Sequence, residues 1–164
     1  AGEIVYLQSR HFNEFGQYIN EDDYFLEEDA KVTANFLQNN DILFVAKGFR
    51  FFATLYKQEF GSAVASSIFF IIRVDTTKII PAYLVSVLNL PKNLLYFQQS
   101  ASGSSIPSIR KSELADFSFN LIPITEQFKV VQLQELYLKD IQITNDIIKE
   151  KQKLFQSTIS TIIK

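Results

Sequence analysis

The feature of this sequence that most constrains its fold is a change in the spacing of apolar residues after Pro123. From Thr125 onwards, apolar or semi-apolar side chains recur every three or four residues, apart from one gap at Lys151-Gln152, which is the spacing of one face of an α-helix. Thr125 is the expected N-cap, and Glu126 places a carboxylate in the first turn, where the helix dipole favours negative charge. These signals predict one helix of about 57 Å, at roughly 1.5 Å per residue.

The apolar face of this helix is longer than the preceding domain could cover. Leu136, Leu138, Ile147 and Leu154 widen it, and charged residues between them suit a solvated outer face. We therefore favour a helix–helix partner over packing within a larger domain, and interpret residues 123–164 as a dimerisation or spacer helix. Its predicted contact positions are Val130, Leu133, Tyr137, Ile141, Ile148, Phe155, Ile159 and Ile162.

Residues 1–122 have the pattern of one compact domain that mixes strands and helices. Short β-type runs bounded by turn residues occur at 4–7, 42–45 and 67–72, and another strand-like run lies at 117–122. Pro81 opens a run to Leu88 that is typical of a helix with proline in its first turn, and 94–99 is a shorter amphipathic piece. The predicted fold class is therefore α+β, a mixed globular domain followed by the long helix.

The composition offers no catalytic constellation. There is no cysteine, the five glycines are isolated, and neither a phosphate-binding loop nor the active-site motif of a DNA amino-methyltransferase occurs. The one histidine, His11, has no partner for a metal site and is expected at the surface or a strand edge. We therefore expect no catalytic residues, no metal and no cofactor. The lack of cysteine, of a signal-peptide pattern and of an apolar run of about 20 residues favours a cytoplasmic location without membrane contact.

Charge is distributed unevenly along the chain. Residues 1–29 carry one Arg against eight acids, whereas residues 30–111 carry nine Lys or Arg against three acids. A segment of net charge +6 can attract nucleic acid even though the whole chain is at −2, because charges more than about 10 Å away are screened. Chance variation of charge along the sequence is the alternative explanation.

A polar loop of small residues lies at the end of this basic segment. Residues 100–105 are Ser-Ala-Ser-Gly-Ser-Ser, and residues 106–111 follow with Arg110 and Lys111. Such a loop can present backbone N–H groups and hydroxyls to phosphate. An ordinary surface connection explains the same composition.

Several segments, in order, resemble the specificity subunits of type I restriction-modification systems. The most specific stretch runs from Gly103 through Lys111 and Leu114 to 121–127, where a proline precedes a Glu-Gln pair that opens the helix. Residues 40–48 are similar to that family's aspartate-led strand and glycine turn, and 65–73 to its central strand. Pro123 stands alone where many members of the family have two prolines, which should alter only the stiffness of the turn.

The resemblance implies a DNA target-recognition domain, residues 1–122, joined to a conserved long helix. Two such units would lie inverted with their helices paired as an antiparallel coiled coil, either as a homodimer or as two halves of one chain. Each domain would read half of a split site in double-stranded DNA. Modification subunits would dock on this scaffold, carry out DNA methylation and recruit the restriction subunits. The chain itself would be a non-catalytic specificity subunit or half-subunit.

Within the basic segment we predict a set of DNA contacts. Arg50 is the expected base reader, because a planar guanidinium suits guanine, and Lys47 the expected phosphate contact. The full set is Lys31, Lys47, Gly48, Arg50, Arg73, Ser102, Gly103, Ser104, Arg110 and Lys111. The alternatives are a coiled-coil interaction module that binds no DNA and, less favoured, a stand-alone nuclease or methyltransferase.

Overall fold

The computed structural model describes residues 3–13, 15–19, 25–103 and 105–163. They form two three-stranded sheets with short helices around them, followed by one long C-terminal helix. The predicted α+β class is confirmed.

The first sheet has β1 (Ile4–Leu7) at its centre. β1 pairs antiparallel with β2 (Phe25–Leu26) and parallel with β5 (Ala63–Ala65). A short 3-10 helix at Ser9–His11 follows β1, and a second one at Gln58–Phe60 precedes β5. After β2 comes α1 (Ala30–Thr33), whose first turn is capped by the Asp29 carboxylate.

The second sheet has β3 (Ile42–Val45) at its centre, antiparallel to both β4 (Ala53–Leu55) and β6 (Phe69–Ile72). All four residues of β3 are buried. Ile42 and Phe44 belong to a core shared with the helices, while Leu43 and Val45 belong to a core shared with the first sheet. Because successive side chains of a strand point to opposite faces, a strand covered on both sides has an unbroken apolar sequence.

Two consecutive helices cover one face of the second sheet. They are α2 (Pro81–Leu88) and α3 (Pro91–Ser100), and each has proline in its first turn. The prediction of α2 is confirmed, and the amphipathic piece at 94–99 lies within α3, which begins at Pro91. A further short helix, α4 (Lys111–Ala115), precedes the long one.

The long helix, α5, spans Ile124–Ile162 and has 39 residues. Its N-cap is Pro123 rather than the predicted Thr125, and no side chain caps it. Proline at this position is compatible with the extended backbone of a cap, and the helix begins two residues earlier than the threonine signal indicated. Glu126 does lie in the first turn and forms an ion pair with Lys129.

The beginning of α5 is fixed to the domain by Gln127, which is fully buried. Its amide oxygen accepts the Ile80 N–H at 2.8 Å, and its amide nitrogen donates to the carbonyls of Lys78 at 3.1 Å and Ile122 at 2.9 Å. Val130 and Val131 pack against the core that the second sheet shares with α2 and α3, which we call the helix-side core. From residue 142 to residue 163, every side chain is exposed. The helix is therefore anchored at one end and uncovered along its second half.

Two local predictions differ from the structure. Residues 117–122 form no strand; Phe117, Phe119 and Ile122 instead pack against the helix-side core, so their apolar pattern reflects packing rather than sheet pairing. His11 is not at the surface but fully buried, where its Nδ1 accepts the Gln8 N–H at 3.2 Å. None of the helices in the described ranges is long and apolar enough to cross a membrane.

Candidate nucleic-acid interface

The two loops predicted to touch DNA lie side by side. The hairpin loop between β3 and β4 contains Lys47 and Gly48, and Lys47 forms an antiparallel bridge with Ser108. The Gly48 N–H donates to the Pro107 carbonyl at 2.9 Å, and the Ile109 N–H donates to the Ala46 carbonyl at 2.8 Å. The loop that follows α3 is thus an extension of the second sheet, although about 60 residues of sequence separate the two segments.

The second loop, residues 102–108, is closed by hydrogen bonds between its own two ends. The Ser102 N–H donates to the Ser108 carbonyl at 3.0 Å and the Ser108 N–H returns to the Ser102 carbonyl at 2.8 Å. Gly103 has φ +117°, and a Cβ on it would lie 2.7 Å from the Ile106 carbonyl oxygen. Only glycine fits this turn. Ser104, also predicted to contact DNA, lies outside the described residues.

Arg50 is exposed but firmly placed. Its guanidinium donates to the Phe12 carbonyl at 3.0 Å and lies 4.6 Å from the centre of the Phe52 ring. These contacts connect the hairpin loop to the chain that follows β1. Lys47, three residues earlier in the same loop, has an exposed side chain.

Arg110 is paired with an acid of its own helix. Its backbone N–H donates to Glu113 Oε2 at 2.6 Å, and its guanidinium donates to Oε1 at 2.9 and 2.7 Å. The backbone N–H first, and then the guanidinium, lower the pKa of Glu113 below its usual range. Arg110 is therefore fixed near the loop with part of its charge neutralised, while the next residue, Lys111, is exposed.

Two of the predicted basic residues lie elsewhere. Arg73 follows β6 and forms a two-point ion pair with Asp41, at 2.6 and 2.8 Å; the Asp41 side chain is only 2% exposed. Asp41 precedes β3 and Lys47 follows it, so they are separated by the strand's length, about 13 Å for four residues. Lys31 lies on α1, which none of these hydrogen bonds connects to the loops. Arg73 has a structural role, and neither Arg73 nor Lys31 is joined to the two loops.

One exposed residue of the hairpin loop was not singled out in the sequence. Phe49 follows Gly48 and is 81% exposed, the highest exposure of any large apolar residue in the described ranges. The next two aromatic residues, Phe51 and Phe52, are both buried. Nothing in the run Gly-Phe-Arg-Phe-Phe distinguishes the first phenylalanine from the others, so only the fold reveals it.

The predicted dimerisation face on α5 is largely exposed. Leu133, Tyr137, Phe155 and Ile162 are each more than half exposed, and Ile148 and Ile159 somewhat less. Val130 differs, because it packs against the core of its own domain; Ile141 is half-buried. The face available to a partner therefore begins at Leu133.

The chain matches no family model, and a search of the curated proteins finds no match to it. Within the described residues, no group of three or more acidic or histidine side chains is placed to hold a metal ion. The candidate interface is an exposed basic and apolar surface made by two loops that are joined by backbone hydrogen bonds.

Proposed function

We propose that the chain recognises DNA sequence as a specificity subunit, or half-subunit, of a type I restriction-modification system. The observation that carries this proposal is the joining of residues 46–50 to residues 102–111 by backbone hydrogen bonds. Residues 46–48 and 103–111 of these segments belong to the stretches that resemble this family. The resemblance is independent of the spatial pairing, and the two support the same surface.

The charge of this surface suits DNA. Lys47, Arg50, Arg110 and Lys111 are all exposed, and neither 46–50 nor 101–111 contains an acidic residue. Glu113, just beyond, is paired with Arg110, so most of the positive charge comes from the other three residues. Phosphate contacts by such residues supply affinity and make it depend on salt, whereas contacts to base edges supply sequence preference. Lys47 and Lys111 are assigned to phosphates. Arg50, held by Phe12 and Phe52, is assigned to a base edge.

The exposed half of α5 supports pairing with a second copy of the chain. An apolar helix face left in water needs a partner, and a two-fold dimer covers the same face on both helices. Antiparallel pairing would place the two domains at opposite ends of the bundle. Each domain would then read one half of a split site, with the paired helices setting the distance between the halves.

A second apolar strip on α5 supports the docking of a further subunit. Leu136, Ile143, Ile147 and Leu154 are exposed, and at about 3.6 residues per turn they lie roughly 100° around the helix from the first face. A pair of helices buries one narrow seam and would leave this strip uncovered. We assign it to the modification subunits, which would carry out methyl transfer and bring the restriction subunits to the DNA in the cytoplasm.

DNA binding at two salt concentrations tests the proposal. Purified chain, with its modification subunit, is titrated with duplexes selected from a random-sequence library, against unselected competitor. We expect selection of a split site and a steep loss of affinity between about 50 mM and about 200 mM salt. Lys47→Ala with Lys111→Ala should weaken binding to every sequence and reduce the salt dependence.

The matched control is Lys57→Ala. Lys57 is exposed and paired with Glu59, and it follows β4 at the end of the sheet remote from the hairpin loop. This variant should bind as the unaltered chain does. Dimers with no salt-dependent DNA binding would overturn the proposal and favour the alternative, an interaction module that acts through α5 alone.

A further inference from the structure

The exposed ring of Phe49 is unusual because the loop around it is well anchored. Ala46, Phe51 and Phe52 are buried on either side of it. The Gly48 N–H is bonded to the Pro107 carbonyl, and the Arg50 guanidinium to the Phe12 carbonyl. A large apolar side chain on a loose loop can fold back onto the surface. Here the frame on both sides holds the ring out in water.

A second exposed apolar side chain stands beside it. Ile106 is 49% exposed and precedes Pro107, whose carbonyl accepts the Gly48 N–H. Phe49 follows Gly48 and Ile106 precedes Pro107, so the two residues lie next to the ends of the same hydrogen bond in adjacent segments. Together they form a small apolar tip, which we call the Phe49 tip.

Four basic residues lie within five positions of Phe49 or Ile106 in the sequence. Lys47 and Arg50 flank Phe49 in the hairpin loop, and Arg110 and Lys111 follow Ile106 in the other. An apolar tip of two side chains is too small for a stable protein–protein interface, which needs about 800 Å² from each partner. A duplex matches it better, since the bases present apolar faces between two lines of phosphates.

We propose that Phe49, supported by Ile106, enters the groove of the target DNA and packs on a base step, while the surrounding basic residues hold the two phosphate backbones. The inference rests on the proposed DNA recognition and adds the residue that senses the stacking of the bases. Apolar side chains that enter a groove partly unstack a base step and bend the duplex. Steps that unstack easily, such as TA and CA, would be favoured at that position.

The test uses the full chain with its modification subunit and 30-base-pair duplexes enriched from a random-sequence library. 2-Aminopurine replaces adenine at successive positions of the enriched sequence, because its fluorescence rises when it is unstacked. We expect one base step at which binding raises the fluorescence. Phe49→Ala should abolish that rise and weaken specific binding about tenfold or more, and Phe49→Leu should retain part of both.

Salt dependence separates Phe49 from its basic neighbours. Phe49→Ala removes no charge, so the slope of log affinity against log salt should stay unchanged, whereas Lys47→Ala should lower it by about one. The matched control is Phe25→Ala, which removes an exposed phenylalanine from the other sheet and should leave the fluorescence rise intact. Since both rings are exposed, both variants should unfold at the temperature of the unaltered chain.

The outcomes distinguish the two proposals. If the unaltered chain enriches no sequence and binds no duplex, the proposed function fails and this inference falls with it. If it binds a selected site but Phe49→Ala matches it in affinity and fluorescence, the inference is overturned and the proposed function stands. Loss of binding to the modification subunit with DNA binding unchanged would also overturn it, and would assign the tip to a protein.

Discussion

Strand β3 and the second half of helix α5 are both rich in apolar residues, but their surroundings are opposite. Every residue of β3 is buried, with two side chains in each of two cores, whereas every residue of α5 from 142 to 163 is exposed. The domain therefore satisfies its own apolar strands, while the helix carries an apolar surface that the chain leaves uncovered. The comparison motivates the proposal that a partner covers this part of the helix, whereas the strand needs none.

The largest expected effect is on the free energy of unfolding, for a substitution in the buried strand β3. Phe44→Ala removes a fully buried ring that packs on Phe97 with ring centres 4.8 Å apart, and should lower the free energy of unfolding by about 3–5 kcal/mol. Phe128→Ala, the same change at an exposed position on α5, should alter it by less than about 0.5 kcal/mol. Urea denaturation measures both, and equal losses would mean that α5 is covered where we find it open.

Charge placed on α5 should affect association without affecting the fold. Ile148→Glu combined with Phe155→Glu puts two carboxylates on the predicted dimerisation face, so the dimer should dissociate at least about tenfold more readily while the domain unfolds unchanged. Sedimentation velocity over a concentration series measures this. Gln156→Glu, on the same stretch but off both apolar strips, is the control. A chain that is monomeric before substitution would contradict the comparison.

Gln127 marks the boundary between the two regions and should have an intermediate effect. Gln127→Ala deprives the Ile80 N–H of its acceptor and two carbonyls of a donor, which should cost about 1–3 kcal/mol. Gln132→Ala, at an exposed position of the same helix, serves as the control. Denaturation followed by circular dichroism measures both variants, and indistinguishable curves would mean that the anchor contributes nothing.

The smallest effect concerns the carboxylate that fixes Arg110. The pKa of Glu113 is lowered in the folded chain, chiefly by the Arg110 N–H, so its contribution to stability is complete above the ordinary glutamate pKa of about 4.3. It is lost as pH falls from there through the lower pKa of the folded state. Glu113→Gln should remove this acid-side dependence by lowering stability slightly at neutral pH, towards the value that the unaltered chain has at low pH, as urea denaturation over a pH series would measure. An unaltered profile would contradict the role assigned to the pair.

The fold class, strand β3, helix α2 and the length of α5 were predictable, because each depends on a repeating local pattern. The packing of Val130 against its own domain and the missing strand at 117–122 were not predictable. The same apolar pattern can serve a core, a sheet or a contact with a partner. The site divides in the same way. The basic loops were recognisable from composition and resemblance, but the pairing of Gly48 with Pro107 and the exposure of Phe49 arise only when distant segments meet.

The joint at Gln127 has a consequence for how the molecule responds to its solution. The amide bonds only to backbone groups and has no charge to titrate or to be screened, so neither pH nor ionic strength should loosen it. In the proposed complex, by contrast, the basic loops would hold DNA phosphates through charge, an interaction that salt weakens. In the proposed assembly, a rise in salt would therefore release the DNA without changing the orientation of the domain relative to its helix. The same protein could then bind another duplex without rearranging.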